Sequence, residues 1–208
     1  MLLKSYSFQD GATIPGEFAF AVVDPKTHVS LSRNRNPHLA WSDAPAVAKS
    51  FALICHDYDV PSRGDDVNKE GREIPAALPR VDFFHWLLLD IPPAMREIAA
   101  GSHSDGVVPR GKPGPDASGG MRHGINDYTG WFASDPNMKG TYFGYDGPCP
   151  PWNDSIVHHY VFTLYALDTP RLDVQADLTG ANVRAALAGH VLAQAHLTGT
   201  YTLNPRLR

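Results

Sequence analysis

The sequence predicts a mainly β protein: an antiparallel two-sheet β-sandwich with a C-terminal helix and long loops. Three observations carry this expectation. Short apolar runs rich in β-branched and aromatic residues recur, as in Phe51-Ala52-Leu53-Ile54-Cys55 and Tyr160-Val161-Phe162-Thr163-Leu164. Eighteen prolines and 18 glycines fall between these runs as turn formers. A single stretch, near the C-terminus, places apolar residues at three- and four-residue intervals. With 208 residues, 43% of them hydrophobic, the chain can fill one large core, so a single domain over 1–208 is expected.

Taken in order, Phe18 to Val23 is the first strand expected, followed by a turn at Asp24-Pro25-Lys26 and a weaker strand from His28 to Arg33. Asn34-Arg35-Asn36-Pro37 breaks the pattern, and Leu39 to Ser42 resumes it. Lys49 to Asp57 is apolar at odd and even positions alike, which predicts burial of both faces. Residues 62–80 are polar and without period, a long loop of the kind that forms lids, interfaces or binding loops. Phe83 to Ile91 is the next strand, stopped by Pro92-Pro93, and Ala99 to Gly130 is again irregular. His159 to Asp168 reads as a second buried strand. The helix is expected where Val183, Leu187, Val191 and Ala195 recur, with Asp177 and Thr179 as start signals and Gly199 as the stop. Tyr201-Thr202-Leu203 reads as a short closing strand.

Charge excludes some classes of partner. Eighteen Lys and Arg against 22 Asp and Glu give a net charge of -4, without the basic excess that phosphate-backbone contacts require, so no nucleic acid is expected. No apolar stretch reaches the length a bilayer needs, which predicts a soluble, cytoplasmic protein rather than a membrane protein. Cys55 and Cys149 form no CxxC pair and read as two reduced thiols.

Ionisable groups at the ends of such apolar strands are the anomaly. Asp57-Tyr58-Asp59-Val60-Pro61 sets two carboxylates at a spacing of two, which in extended backbone points both to one face; a strand end entering solvent reads the same way. His85 shares a face with Phe83 and Leu87, as a core histidine or as a ligand contact. In His158-His159-Tyr160, period two groups His158 with Tyr160 and sends His159 to the other face. Gly147-Pro148-Cys149-Pro150-Pro151 offers a stiff loop whose glycine amide can face an anion.

In this order and context, the four motifs resemble the phosphatidylethanolamine-binding protein family, specifically its bacterial Raf-kinase-inhibitor-like branch. Asn36-Pro37, Leu39, Trp41-Ser42, Asn126-Asp127-Tyr128, Gly130 and the stretch from Gly189 to Tyr201 extend the likeness over about residues 15 to 203. The resemblance implies a β-sandwich with a small pocket for phosphate or phospholipid head groups, lined by Asp57, Asp59, His85, Gly147, Pro148, His158 and Tyr160. It implies no cofactor, no metal and no catalytic residue. It invites a protein partner, a kinase or a protease, and a homodimer. Two positions depart from the pattern: Tyr58 stands where proline is usual and His159 where arginine is common. The 62–80 stretch also separates motifs that lie closer together in shorter relatives.

Two carboxylates should repel a phosphate unless they hold a histidine protonated. Asp57 or Asp59 within reach of His85 or His158 would favour the imidazolium, while Tyr160 and the Gly147 amide would donate to the anion. Affinity would then fall as pH rises through the histidine titration. Rival readings are a metal site of two Asp and two His, and a hydrolase with Asp57 or Asp59 as base and Cys149 or Tyr160 as nucleophile or acid.

Overall fold

A strand that is apolar on both sides needs an apolar layer on each, and that requirement organises the molecule. The computed structural model describes residues 1–208. In chain order the strands are β1 (Leu2–Lys4), β2 (Ala21–Asp24), β3 (His28–Leu31), β4 (Leu39–Ser42), β5 (Ser50–Pro61), β6 (Arg80–Ile91), β7 (Glu97–Ile98), β8 (Arg122–His123), β9 (His158–Leu167) and β10 (Val191–Tyr201). Helix α1 spans Tyr128–Trp131 and α2 spans Gly180–Leu187. A five-stranded antiparallel sheet has the order β10-β9-β5-β6-β8, a three-stranded one the order β1-β4-β7, and β2 and β3 form a hairpin.

β5 sits at the centre of the large sheet. Its Phe51, Leu53 and Cys55 join Trp41 of β4, Trp86 of β6 and Phe162 of β9 in the main core. Ala52 and Ile54 point the other way, into a second core with Leu87, Val183 and Leu187, so α2 supplies the second apolar layer.

Three expectations change. The helix ends at Leu187, about one turn short of Val191 and two short of Ala195, because Gly189 takes a left-handed backbone (φ +84°) and reverses the chain. Val191–Tyr201 is instead an edge strand paired along β9, with Ala195, Leu197, Gly199 and Tyr201 buried at period two. Tyr201 thus ends a long strand rather than beginning a short one. At the N-terminal side, Gly16–Phe18 forms a 3-10 turn and β2 begins only at Ala21. β5 and β6 run on to Pro61 and back to Arg80, leaving 62–79 as the loop.

Candidate functional site

Two β-bulges aim the site. Cys55 pairs with Trp86 and His56 with Phe84, so His85 is an extra residue on β6. Bulges re-aim side chains; here His85 lines a cavity while the adjoining Trp86 fills the main core. The expected common face of Phe83, His85 and Leu87 is broken there, and Leu87 packs against α2. Further on, Asp57 pairs with Phe83 and Val60 with Val81, which leaves an extra residue on β5. Asp57 and Val60 line the cavity and Asp59 does not. Asp59 accepts from the His159 backbone N–H at 2.9 Å and from its ring Nδ1 at 2.8 Å. The two carboxylates therefore part company, contrary to the simple alternation of an unbulged strand.

The cavity measures about 250 Å³. Asp57, His85, His158 and Tyr160 form its polar floor, and most of the remaining wall is apolar. Gly147 and Pro148 lie behind it. The Gly147 N–H donates to Asn34 Oδ1 at 2.8 Å, so this amide is not free for an anion. The Gly147 carbonyl accepts from Tyr128 Oη at 2.7 Å, and the Pro148 carbonyl accepts from the Phe20 N–H at 2.9 Å. The glycine is needed for a close approach of another kind: a Cβ here would lie 2.1 Å from the Phe18 carbonyl oxygen.

His158 is fully buried between two carboxylates, with Nδ1 2.7 Å from Asp57 Oδ2 and Nε2 3.1 Å from Asp154 Oδ2. Burial alone would lower its pKa, yet the bonds to Asp154 and Asp57 outweigh it and raise the value to about 9. Arg80 Nη1 closes the row 2.6 Å from Asp154 Oδ2. The row Arg80, Asp154, His158 and Asp57 alternates in charge and balances to zero, and both ring nitrogens of His158 are spent within it.

His85 behaves differently. Its Nδ1 lies 2.7 Å from the Asp146 carbonyl, an oxygen that only accepts, so Nδ1 carries a proton. Burial lowers its pKa against the opposing pull of Asp57 and of that carbonyl, so the ring is neutral and Nε2 presents a lone pair. The imidazolium expected at His85 or His158 is found at His158, because His158 hydrogen-bonds two carboxylates whereas His85 bonds only a backbone carbonyl. Nε2 has no partner within the protein, and the buried Tyr160 Oη has none either. Burial, then Asp57, pushes the Tyr160 phenol well above its ordinary pKa.

Several supporting residues gave no sequence signal. Asp154 reaches His158 from a loop four positions earlier, where neither strand nor helix period applies. Asp146, fully buried, accepts from Asn34 Nδ2 at 2.7 Å, Asn126 Nδ2 at 2.8 Å and Lys112 Nζ at 2.8 Å. Asn34 read as a chain break, and its role shows only when distant segments meet. No group of three or more His, Cys, Asp or Glu side chains is arranged to ligate a metal ion. No helix is long and apolar enough to cross a membrane.

Comparison with known proteins places this architecture. A UPF0098 protein of Methanothermobacter thermautotrophicus is 33% identical over 201 residues, 97% of this chain and 98% of its own. YbhB of Escherichia coli is 29% identical, covering 97% and 100%. The crystal structure of Escherichia coli YbcL, described as a new member of the mammalian PEBP family, matches with a TM-score of 0.68 at 24% identity over 97% of both chains, a likeness of fold. CT736 of Chlamydia trachomatis matches with a TM-score of 0.61 at 26% identity, over 96% of this chain and 95% of that one. The phosphatidylethanolamine-binding protein family model matches residues 4–202, nearly the whole length, and the chain belongs to that family.

Proposed function

We propose that the cavity binds a small anion, phosphate or a phosphorylated head group, as its monoanion. The observation that carries this reading is Tyr160 Oη, a buried hydroxyl on the floor without a well-aligned partner, set in the same cavity as His85, whose Nε2 no protein group engages. A buried polar group without a partner is costly and rare, and a ligand that accepts from Tyr160 accounts for it. The Tyr160 hydroxyl donates to a phosphate oxygen, and the ligand's own P–O–H donates to the His85 lone pair. A dianion meets no free cation, since His158 is already neutralised by Asp57 and Asp154.

Binding, rather than turnover, fits the buried groups. Burial raises the Cys149 thiol to about 12 and holds the Tyr160 phenol well above its usual range, so neither supplies a nucleophile at neutral pH.

Calorimetric titration with a phosphate monoester at pH 5.5 and 8.5, in buffers of different ionisation enthalpy, tests the proposal. The singly protonated ester is depleted above its second pKa of about 6. Affinity should fall by up to roughly tenfold per pH unit above that point, with uptake of about one proton on binding at pH 8.5. Equal affinity at both pH values without proton uptake refutes the protonated-ligand account.

A further inference from the structure

Resting on that reading of the floor, we infer that the 62–79 loop makes this a site for a phosphomonoester with a compact apolar body rather than for bare phosphate. The floor supplies four polar side chains, whereas the space above it is far larger than one phosphate group. At about 30 Å³ per water, 250 Å³ corresponds to roughly eight waters. Phe83, Phe132, Val29 and Val67 face this upper space. At its rim, Leu31 is 65% exposed and Trp131 is 52% exposed, so two large apolar side chains stand at the edge of a partly apolar chamber without cover. Inorganic phosphate would leave all of this surface wet; an apolar body would cover it.

The loop is built into the wall. Gly64, Val67 and Asn68 line the cavity, and the loop is fastened on both sides of them. Asn153 Nδ2 donates to the Asp66 carbonyl at 2.8 Å and to that of Arg72 at 3.1 Å, while its Oδ1 accepts from the Asn68 N–H at 3.0 Å. Asn68 Oδ1 in turn accepts from the Trp152 N–H at 3.0 Å. On the outer side, Glu70 lies 2.6 Å from His28 Nε2, and the His28 ring stacks on Trp152 at 3.8 Å and 8°. These ties join the loop to the β2–β3 hairpin, which contributes Val29 and Leu31 to the same wall. A segment tied at this many points is a fixed wall, and Val67 is the apolar side chain it presents.

Inorganic phosphate, phosphoethanolamine and phenyl phosphate should be titrated by calorimetry into the wild type and Val67→Ser at pH 5.5. Phenyl phosphate should bind the wild type about tenfold or more tightly than inorganic phosphate, from the apolar area its ring covers. Val67→Ser should shrink that ratio by about threefold. Equal affinity for the three ligands, or a preference for phosphoethanolamine, overturns the inference and leaves the floor intact. A ratio unmoved in Val67→Ser removes the loop from the specificity wall. Absence of binding by all three defeats the underlying anion-site reading instead.

Discussion

Tyr160 and His158 show how neighbouring positions on one strand take opposite roles. His158 has every ring proton committed to a carboxylate, so its work is internal. Tyr160, two residues on and facing the same way, makes no well-aligned hydrogen bond, with Asp57 close enough to act on its hydroxyl. Leaving a buried hydroxyl unsatisfied costs about 1–3 kcal/mol, a cost that structure alone does not explain. Tyr160→Phe should therefore keep or raise the stability of the ligand-free protein while weakening phosphate monoester binding about tenfold or more. Thermal unfolding and calorimetric titration of the same variant check this; a variant that loses stability but keeps affinity makes the hydroxyl structural. The common orientation of Asp57, His158 and Tyr160 was legible from the twofold period. Asp154 was not, because its contact comes from a loop.

Among the elements, the segment through Gly147 and the bulged pair β5–β6 set the site's shape. The glycine reads in sequence as a place where backbone approaches closely, and it is one, but the neighbour is the Phe18 carbonyl rather than a ligand. Gly147→Ala drives a methyl against that backbone oxygen and loosens the bond from the Gly147 N–H to Asn34. The substitution should cost about 1–3 kcal/mol in urea or guanidinium unfolding. A loss below about 0.5 kcal/mol would show that the 144–149 segment has room to yield. The bulges explain both errors at the site, since one extra residue on β5 turns Asp59 away and one on β6 brings His85 in beside Trp86. Alternation in sequence carries no mark of where an extra residue enters. The C-terminal misreading has a different origin: Val191 and Ala195 continue a helical spacing by chance, while the buried series Ala195, Leu197, Gly199 and Tyr201 carries the strand period that the sheet enforces.

At the scale of the whole molecule, the buried histidines give stability an optimum in pH. His123 is held near 4, by burial first and then by His103 and Lys112, and His85, His103 and His56 are lowered chiefly by burial. Below the unfolded value of about 6.5 the unfolded chain takes up protons that the folded one refuses, so stability falls as pH drops. His158 has the opposite sign. Its folded pKa of about 9 lies above the unfolded value, so its contribution is complete below about 6.5 and is lost as pH rises through 9. Tm should peak near pH 6.5 and decline on both sides, with about 1.4 kcal/mol at stake per pKa unit per group. Scanning calorimetry from pH 4.5 to 9.5 checks it; a Tm that stays level from 6.5 to 9.5 contradicts the protonated His158 between its two carboxylates.

The sequence by itself determined the layering and the family. Composition and period two specify strands, a run apolar on both faces specifies a central strand, and four motifs in order specify the kin. Only the tertiary structure decided which of the seven expected residues share a cavity and which ring carries charge. Those outcomes depend on bulges, on Asp154 and Asp146 arriving from loops, and on burial. Each arises from through-space neighbours that local spacing does not encode: hydrogen bonds to two carboxylates keep His158 protonated, and burial without such a bond leaves His85 neutral.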